Sequence, residues 1–373
     1  MRYKFTGLAT TALVCFGASG VYAGGMEVSR LPTDMMFENG NYASISFGRF
    51  SPDVTDNVYA TSGSMYKDRS AITMTFSTQL NDKVTLGFAN YKSAEISLDY
   101  ANSAVAAVKP LNVDLNVKTM ALLGRYEVAE NVSVIGGLKY STGSGGGNIL
   151  VSPAGIITAN KDSAVGAIIG ASYENPEIAL RISGFYQAKQ DMKHVTTTTI
   201  DPTKTMQPTK SALPASYTLN FQSGIAPNTL LFGSIHRALW GDAHISFWSN
   251  AGTQGGTDGA GAGTGYVQKT TWTDSTSLSL GIGRKLSDEW AISSSLNYEG
   301  ASEASGTSLL STTDGVTGIT LGGKYTQEGM TISGGINYSK LGDKKVDPAG
   351  ALPEGTFSGN SVSTVGIKFG FNF

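Results

Sequence analysis

Charge is scarce in this chain. Asp, Glu, Lys and Arg make up 15% of the 373 residues and nearly cancel, leaving a net −2; an ordinary soluble domain carries about 25%. A nucleic-acid partner, which needs a surplus of cations, has no electrostatic support. Cysteine is scarcer still. Cys15 is the only one, and it lies in a segment that reads as an export signal, so disulfides, thiol catalysis and cysteine-zinc sites drop out of the mature chain. Histidine is limited to His194, His236 and His244. None has metal-ligand spacing or a paired carboxylate motif, and there is no Gly-x-Ser-x-Gly elbow, so neither an enzyme nor a resident metal or other cofactor is expected. Past the N-terminus no apolar run reaches the roughly 18 residues that would mark a helical membrane span.

What is there begins with that signal. Arg2 and Lys4 precede a short apolar stretch, Leu8 to Ala18, and Val21-Tyr22-Ala23 supplies small residues for cleavage. Residues 1–23 have the layout of a secretory signal peptide, and the stretch is shorter than the ~20 residues of a comfortable span. Val14 before Cys15 argues against a lipoprotein. Glycine (47), tyrosine (16) and phenylalanine (15) are plentiful and proline (11) is sparse, a mixture suited to strands with one greasy and one polar face.

Six short polar turns recur along the chain: Asn81-Asp82-Lys83, Ala129-Glu130-Asn131, Asn175-Pro176-Glu177, Ala226-Pro227-Asn228, Ser287-Asp288-Glu289 and Gln327-Glu328-Gly329. Between them lie longer Gly/Ser/Thr-rich stretches at about 51–69, 101–113, 142–162, 191–212, 241–275, 300–313 and 342–359. Strict alternation of short and long connections predicts fourteen strands with both chain ends on the short-turn side, the pattern of a transmembrane antiparallel β-barrel. Period-two faces agree: Val365, Ile367, Phe369, Phe371 and Phe373 alternate with Gly366, Lys368, Gly370 and Asn372. A cation at the lipid midplane costs about 2–4 kcal/mol, and Arg125, Lys139, Arg181, Lys324 and Lys368 all fall on the opposite phase. Arg284 is in phase with the greasy face but beside a short turn. Strand four changes phase near Val117–Met120, which predicts a bulge there. The expected organisation is a signal at 1–23, a short plug-like segment at 24–41 and a barrel at 42–373, placed in a bacterial outer membrane and solvated by its lipid. Phe373 ends a strand with aromatics at 369 and 371; its resemblance to the closing strands of outer-membrane barrels implies an insertion signal for the outer-membrane assembly machinery.

The segment from Phe37-Glu38-Asn39-Gly40 through Phe50-Ser51-Pro52-Asp53-Val54 resembles the first strand of the long-chain fatty acid transporter family (FadL type). Leu213-Pro214-Ala215-Ser216, opening a mid-chain strand, and the return through Leu230-Leu231-Phe232 to Trp240 resemble it too. The resemblance implies passive outer-membrane transport of hydrophobic molecules such as fatty acids, with an N-terminal plug inside the barrel. The family's Asn-Pro-Ala plug motif is missing, Leu31-Pro32-Thr33 being the nearest proline, so the plug here is short or differently built.

Several residues stand out as ligand contacts. Met26, Leu31, Met35, Met36 and Phe37 either line a plug and touch an apolar ligand or pack a tail against the wall. Arg125 and Arg181 either meet a fatty acid carboxylate or pair with wall acids such as Glu127 and Glu174. In the 241–275 loop, Phe247 and Trp248 suit an apolar capture patch, while Trp240 and Trp272 suit an outer aromatic girdle. The Gly252–Gly265 run lacks the Lys-Ser/Thr ending of a phosphate loop. The alternatives are a porin-like channel for polar solutes and a structural or adhesive barrel. A porin would fold a charged loop inward, and the 342–359 loop has only Asp343, Lys344, Lys345, Asp347 and Glu354.

Overall fold

A computed structural model describes residues 26–148, 157–198, 208–249, 265–268, 270–301, 305–348 and 352–373. Fourteen antiparallel strands form the wall. They are β1 (Asn41–Asp53), β2 (Arg69–Asn81), β3 (Val84–Asp99), β4 (Asn112–Ala129), β5 (Val132–Asn148), β6 (Ile157–Asn175) and β7 (Leu180–Gln187), followed by β8 (Ser216–Ala226), β9 (Thr229–Ala238), β10 (Ser275–Lys285), β11 (Trp290–Glu299), β12 (Val316–Gln327), β13 (Met330–Leu341) and β14 (Ser361–Asn372). Each pairs with its sequence neighbours, and β1 pairs with β14 from Tyr42↔Asn372 to Asp53↔Ser361, which closes the cylinder. All six expected short turns join strands. Backbone φ is positive at Asn131, Asn228, Glu328 and Gly329, the left-handed conformation that tight hairpins require.

Two solvents set the side-chain pattern. Outward positions carry exposed Phe47, Met74, Leu122, Leu138, Ile169, Leu280, Leu296, Ile336 and Ile367, a continuous apolar belt far larger than a water-soluble monomer exposes. Tyr126, Tyr173, Trp290 and Tyr325 edge the belt on the short-turn side. Inward positions carry small hydroxyls that bond across strands, Ser44 to Thr75 and Thr119 to Ser141, both at 2.7 Å. No described helix is long and apolar enough to cross a membrane. Pairing of β1 with β14 closes the sheet, so it has no free outer edge; an unpaired backbone group in lipid is costly.

Two expectations need correction. Strand β4 carries no bulge at Val117–Met120; the extra residue is Ser93 on β3, where the register steps from Lys92↔Lys118 to Ala94↔Val117. The phase change in β4 is chemical: Val113 and Val117 are buried inside while Met120 and Leu122 are exposed outside. Inward residues turn apolar towards the long-loop end. Trp240 and Trp272 are not in a girdle either. They are 2% and 5% exposed and meet at 5.1 Å in a steep edge-on contact, inside a cluster with Met65, Leu98, Tyr100, Val108, Leu309, Leu310 and Phe357. The long loops thus fold over the barrel mouth as an apolar cap.

Candidate functional site

Residues 26–40 precede the first wall strand and contact inward side chains of β3, β4, β5, β7 and β9, so they run through the lumen. The segment ends in a 3-10 turn, Asp34–Phe37, with Met35, Met36 and Phe37 buried. Gly87 on β3 makes room for it: a Cβ there would lie 2.3 Å from Met36 Sδ and 3.1 Å from Met35 Cε. Two wall cations hold the turn. Arg125 donates to Met36 O at 3.0 Å and to Ser133 Oγ at 3.0 Å and pairs with Glu174. Arg181 pairs with Asp34 at 3.4 Å and donates to Gln222 Oε1 at 3.2 Å. Both guanidinium groups lie over the Phe37 ring, Arg125 at 5.0 Å and Arg181 at 4.3 Å from its centre. The structure therefore brings Met35, Met36, Phe37, Arg125 and Arg181 together, and their contacts are with one another and the wall. Just after the turn, burial pushes the Glu38 carboxyl up to about 7; Asp34 adds to the shift, and Lys368, Lys324 and Arg181 oppose it.

At the long-loop end the lumen is apolar. A cavity there is lined by Met26, Val113, Leu115, Val117, Ile157, Ala159, Ile245, Phe247 and Leu310, with His194 and Ser211 among its few polar groups. Glycine shapes one wall: a Cβ on Gly145 would lie 2.2 Å from Leu115 Cδ2, and one on Gly143 would lie 3.0 Å from Met192 Sδ. Phe247 of the expected capture patch lines this cavity. Trp248 is placed by backbone pairing with Tyr266; its side chain and the Gly-rich run from 250 to 264 lie outside the described residues.

Beneath the cap, the wall has a break. The β2–β3 ladder runs from Asn81↔Val84 only as far as Met74↔Asn90, while β2 continues to Arg69 along β1 and β3 continues to Asp99 along β4. Pairing resumes at a single bridge, Tyr66↔Leu98. Across the interval, side chains replace the ladder: Lys92 Nζ donates to Ser70 O at 2.9 Å and Arg69 donates to Glu95 O at 3.1 Å, while Lys92 also pairs with Glu95 within β3 at 2.8 Å. The freed backbone of β3 is taken by the N-terminal segment. Val28 N donates to Ser93 O and Glu95 N to Met26 O, both at 2.9 Å, and Val28 packs on Phe50 and Ala71 of β1 and β2. The Ser93 bulge is therefore where the plug is stitched to the wall.

No family model matches the sequence, and no curated protein matches it. Solved structures do. A FadL homologue of Pseudomonas aeruginosa superposes with a TM-score of 0.71 at 12% identity, over 95% of this chain and 94% of that one. The toluene transporter TodX of Pseudomonas putida gives 0.65 at 13% identity, over 98% and 95%. The toluene transporter TbuX of Ralstonia pickettii gives 0.63 at 13% identity, over 99% and 100%. The barrel has the FadL-type fold.

Within this FadL-type barrel, sequence reasoning named Met26 among the candidate ligand contacts but missed Val113, Leu115 and Val117 as cavity residues. Their signal was visible as the phase reversal in β4, since a strand whose inward face turns apolar must be packing on something other than water. The cavity's polar pair, His194 and Ser211, comes from two short strands, Gln190–His194 and Thr209–Leu213, whose pairing with each other no local pattern specifies. Beside the plug the lumen keeps a separate polar space of about 260 Å³, lined by Ser44, Ser46, Thr75, Asn220, Gln222 and Lys368 among others.

Proposed function

We propose that this chain carries small hydrophobic solutes, fatty acids or hydrocarbons, across a bacterial outer membrane by passive diffusion. The observation that carries this reading is the position of Met26. It lines the apolar cavity under the cap and also belongs to the strand-like segment that fills the β2–β3 break. A solute that partitions into the cavity gains burial free energy of about 25 cal/mol per Å² of apolar surface. Withdrawal of Met26–Val28 then joins the cavity to the lipid-facing surface near Ile72 and Met74 without passage through the polar lumen. Two proteins of similar fold, TodX and TbuX, are toluene transporters, which supports the same solute class. Phe373, exposed beyond the last strand, is read as the mark recognised by the outer-membrane assembly machinery.

The test locks the segment in place. Glu27 and Ala94 face each other as an antiparallel bridge, and their hydrogen bonds flank the pair, a geometry with Cα atoms about 4.5 Å apart and within disulfide reach. Oxidised Glu27→Cys/Ala94→Cys protein is expected to lose uptake of a labelled hydrocarbon in proteoliposomes, with recovery on reduction and no loss in either single variant. Unchanged uptake in the locked form would overturn the lateral route. The polar space beside the plug gives the porin-like reading its one support, and planar bilayers separate the two: a plugged barrel passes little steady ion current, a porin much. Uptake unchanged by deletion of the gene would leave only the structural or adhesive reading.

A further inference from the structure

The polar side chains on the cavity lining are Asn116, Ser144, Thr209, Ser211 and His194, and the last two form a defined pair. His194, buried at 4% exposure, lies on a short strand of the cap and has both ring nitrogens engaged. Nδ1 is 2.8 Å from Asn160 O, and Nε2 is 2.7 Å from Ser211 Oγ. A carbonyl oxygen can only accept, so Nδ1 carries the proton. In the neutral ring Nε2 is then bare, and it accepts the Ser211 hydroxyl proton. The polarity of this chain is fixed by the backbone at its far end. Ser211 Oγ reaches the cavity with lone pairs and no proton to give.

The setting makes that atom selective. Thr209, also on the lining, spends its hydroxyl on Thr196 at 2.7 Å. Most of the lining is carbon, so a ligand hydroxyl beside Ser211 gains a hydrogen bond that an acceptor-only ligand would not. Gly143 keeps the ring in place, since a Cβ there would lie 3.3 Å from His194 Cε1. Free space in the cavity is about 30 Å³, so a ring-sized guest enters as Met26 and Leu115 shift, and methionine adapts readily to such changes of shape.

We propose that this cavity selects hydroxylated hydrocarbons, apolar molecules with a single O–H donor such as a phenol or an alkanol, and that Ser211, oriented by His194, accepts the hydrogen bond from that hydroxyl. This deepens the transport reading and rests on it, since it names a solute class for the same cavity.

p-Cresol and p-xylene have the same shape with a hydroxyl exchanged for a methyl. Equilibrium dialysis of each against the full chain in nanodiscs, with empty nanodiscs subtracted, gives the two affinities. Ser211→Ala is expected to weaken p-cresol binding about three- to tenfold, as loss of one hydrogen bond does, and to leave p-xylene unchanged. Ser211→Thr keeps a hydroxyl and is expected to retain p-cresol affinity. Heat-dependent gel mobility confirms that each variant is a folded barrel. Equal effects of Ser211→Ala on both probes, or none on either, would overturn the hydroxyl assignment while the cavity stands as a ligand site. Failure of both probes to bind the wild-type chain would sink this proposal together with the transport reading.

Discussion

The guanidinium carbon of Arg181 sits 4.3 Å from the centre of the Phe37 ring. A wall cation thus rests on an aromatic ring of the luminal segment, with Arg125 over the same ring at 5.0 Å. A desolvated cation–π contact contributes up to about 2 kcal/mol, and the ring's own burial adds to it. Phe37→Ala is expected to loosen residues 31–40 by about 3–5 kcal/mol while the barrel stays closed. Hydrogen exchange should rise in that segment and not in β4 or β7. Protection unchanged throughout would show that the two arginines do not hold the turn.

Gly87 and Met36 make a compensating pair. Gly87→Ala places a methyl where Met36 Sδ now lies, and overpacking of this kind costs about 1–3 kcal/mol. In a Met36→Ala background the same change should cost much less, because only the Met35 methyl, 3.1 Å from the new Cβ, is left to shift. A double-mutant cycle on the exchange of residues 31–40 checks this, and additive losses would refute the close fit.

Glu38 gives the plug a pH dependence. Its carboxyl holds a proton up to about 7 in the folded chain, whereas in an unfolded chain it ionises near 4.3. Between those values the folded state binds more protons, so plug stability falls as pH rises through that window. The plug should exchange more slowly at pH 5 than at pH 8 after correction for intrinsic rates. Glu38→Gln should flatten the difference; an equal slope in the variant would assign it to another group.

Trp240 anchors the cap. Trp240→Ala removes a buried indole that packs edge-on against Trp272, at an expected cost of about 3–5 kcal/mol. Limited proteolysis should then cut the long loops, while the strands below resist as before. A girdle residue at the lipid interface would leave the loops as protected as in the wild type.

The wall was legible in the sequence because its causes are local. Turns such as Glu328-Gly329 announce themselves by residue type, and a strand in lipid repeats every second residue. Arg284 was readable for the same reason: it is exposed near a short turn and bonds the Thr229 hydroxyl at 2.8 Å. The site was less legible because its causes are distant. The reversal at Val117–Met120 was plain as a pattern, but one strand cannot say whether its backbone has slipped or its surroundings have changed. The answer lay in Ser93, on the neighbouring strand, and in the loops above. Trp240 was misread likewise, since an aromatic at a strand end suits an interface or a buried lid equally until the loops are placed.

The seam between the first and last wall strands joins residues far apart along the chain; Asn372 donates to Asn39 O across 333 positions. Until Ser361–Asn372 docks, β1 has no second neighbour and the cylinder cannot shut. Residues 26–40 lie inside and lead directly into β1, so they must be gathered into the interior before or as that last seam zips. A barrel sealed around the wrong content would have to reopen to correct it, which makes the final dozen residues the checkpoint of assembly.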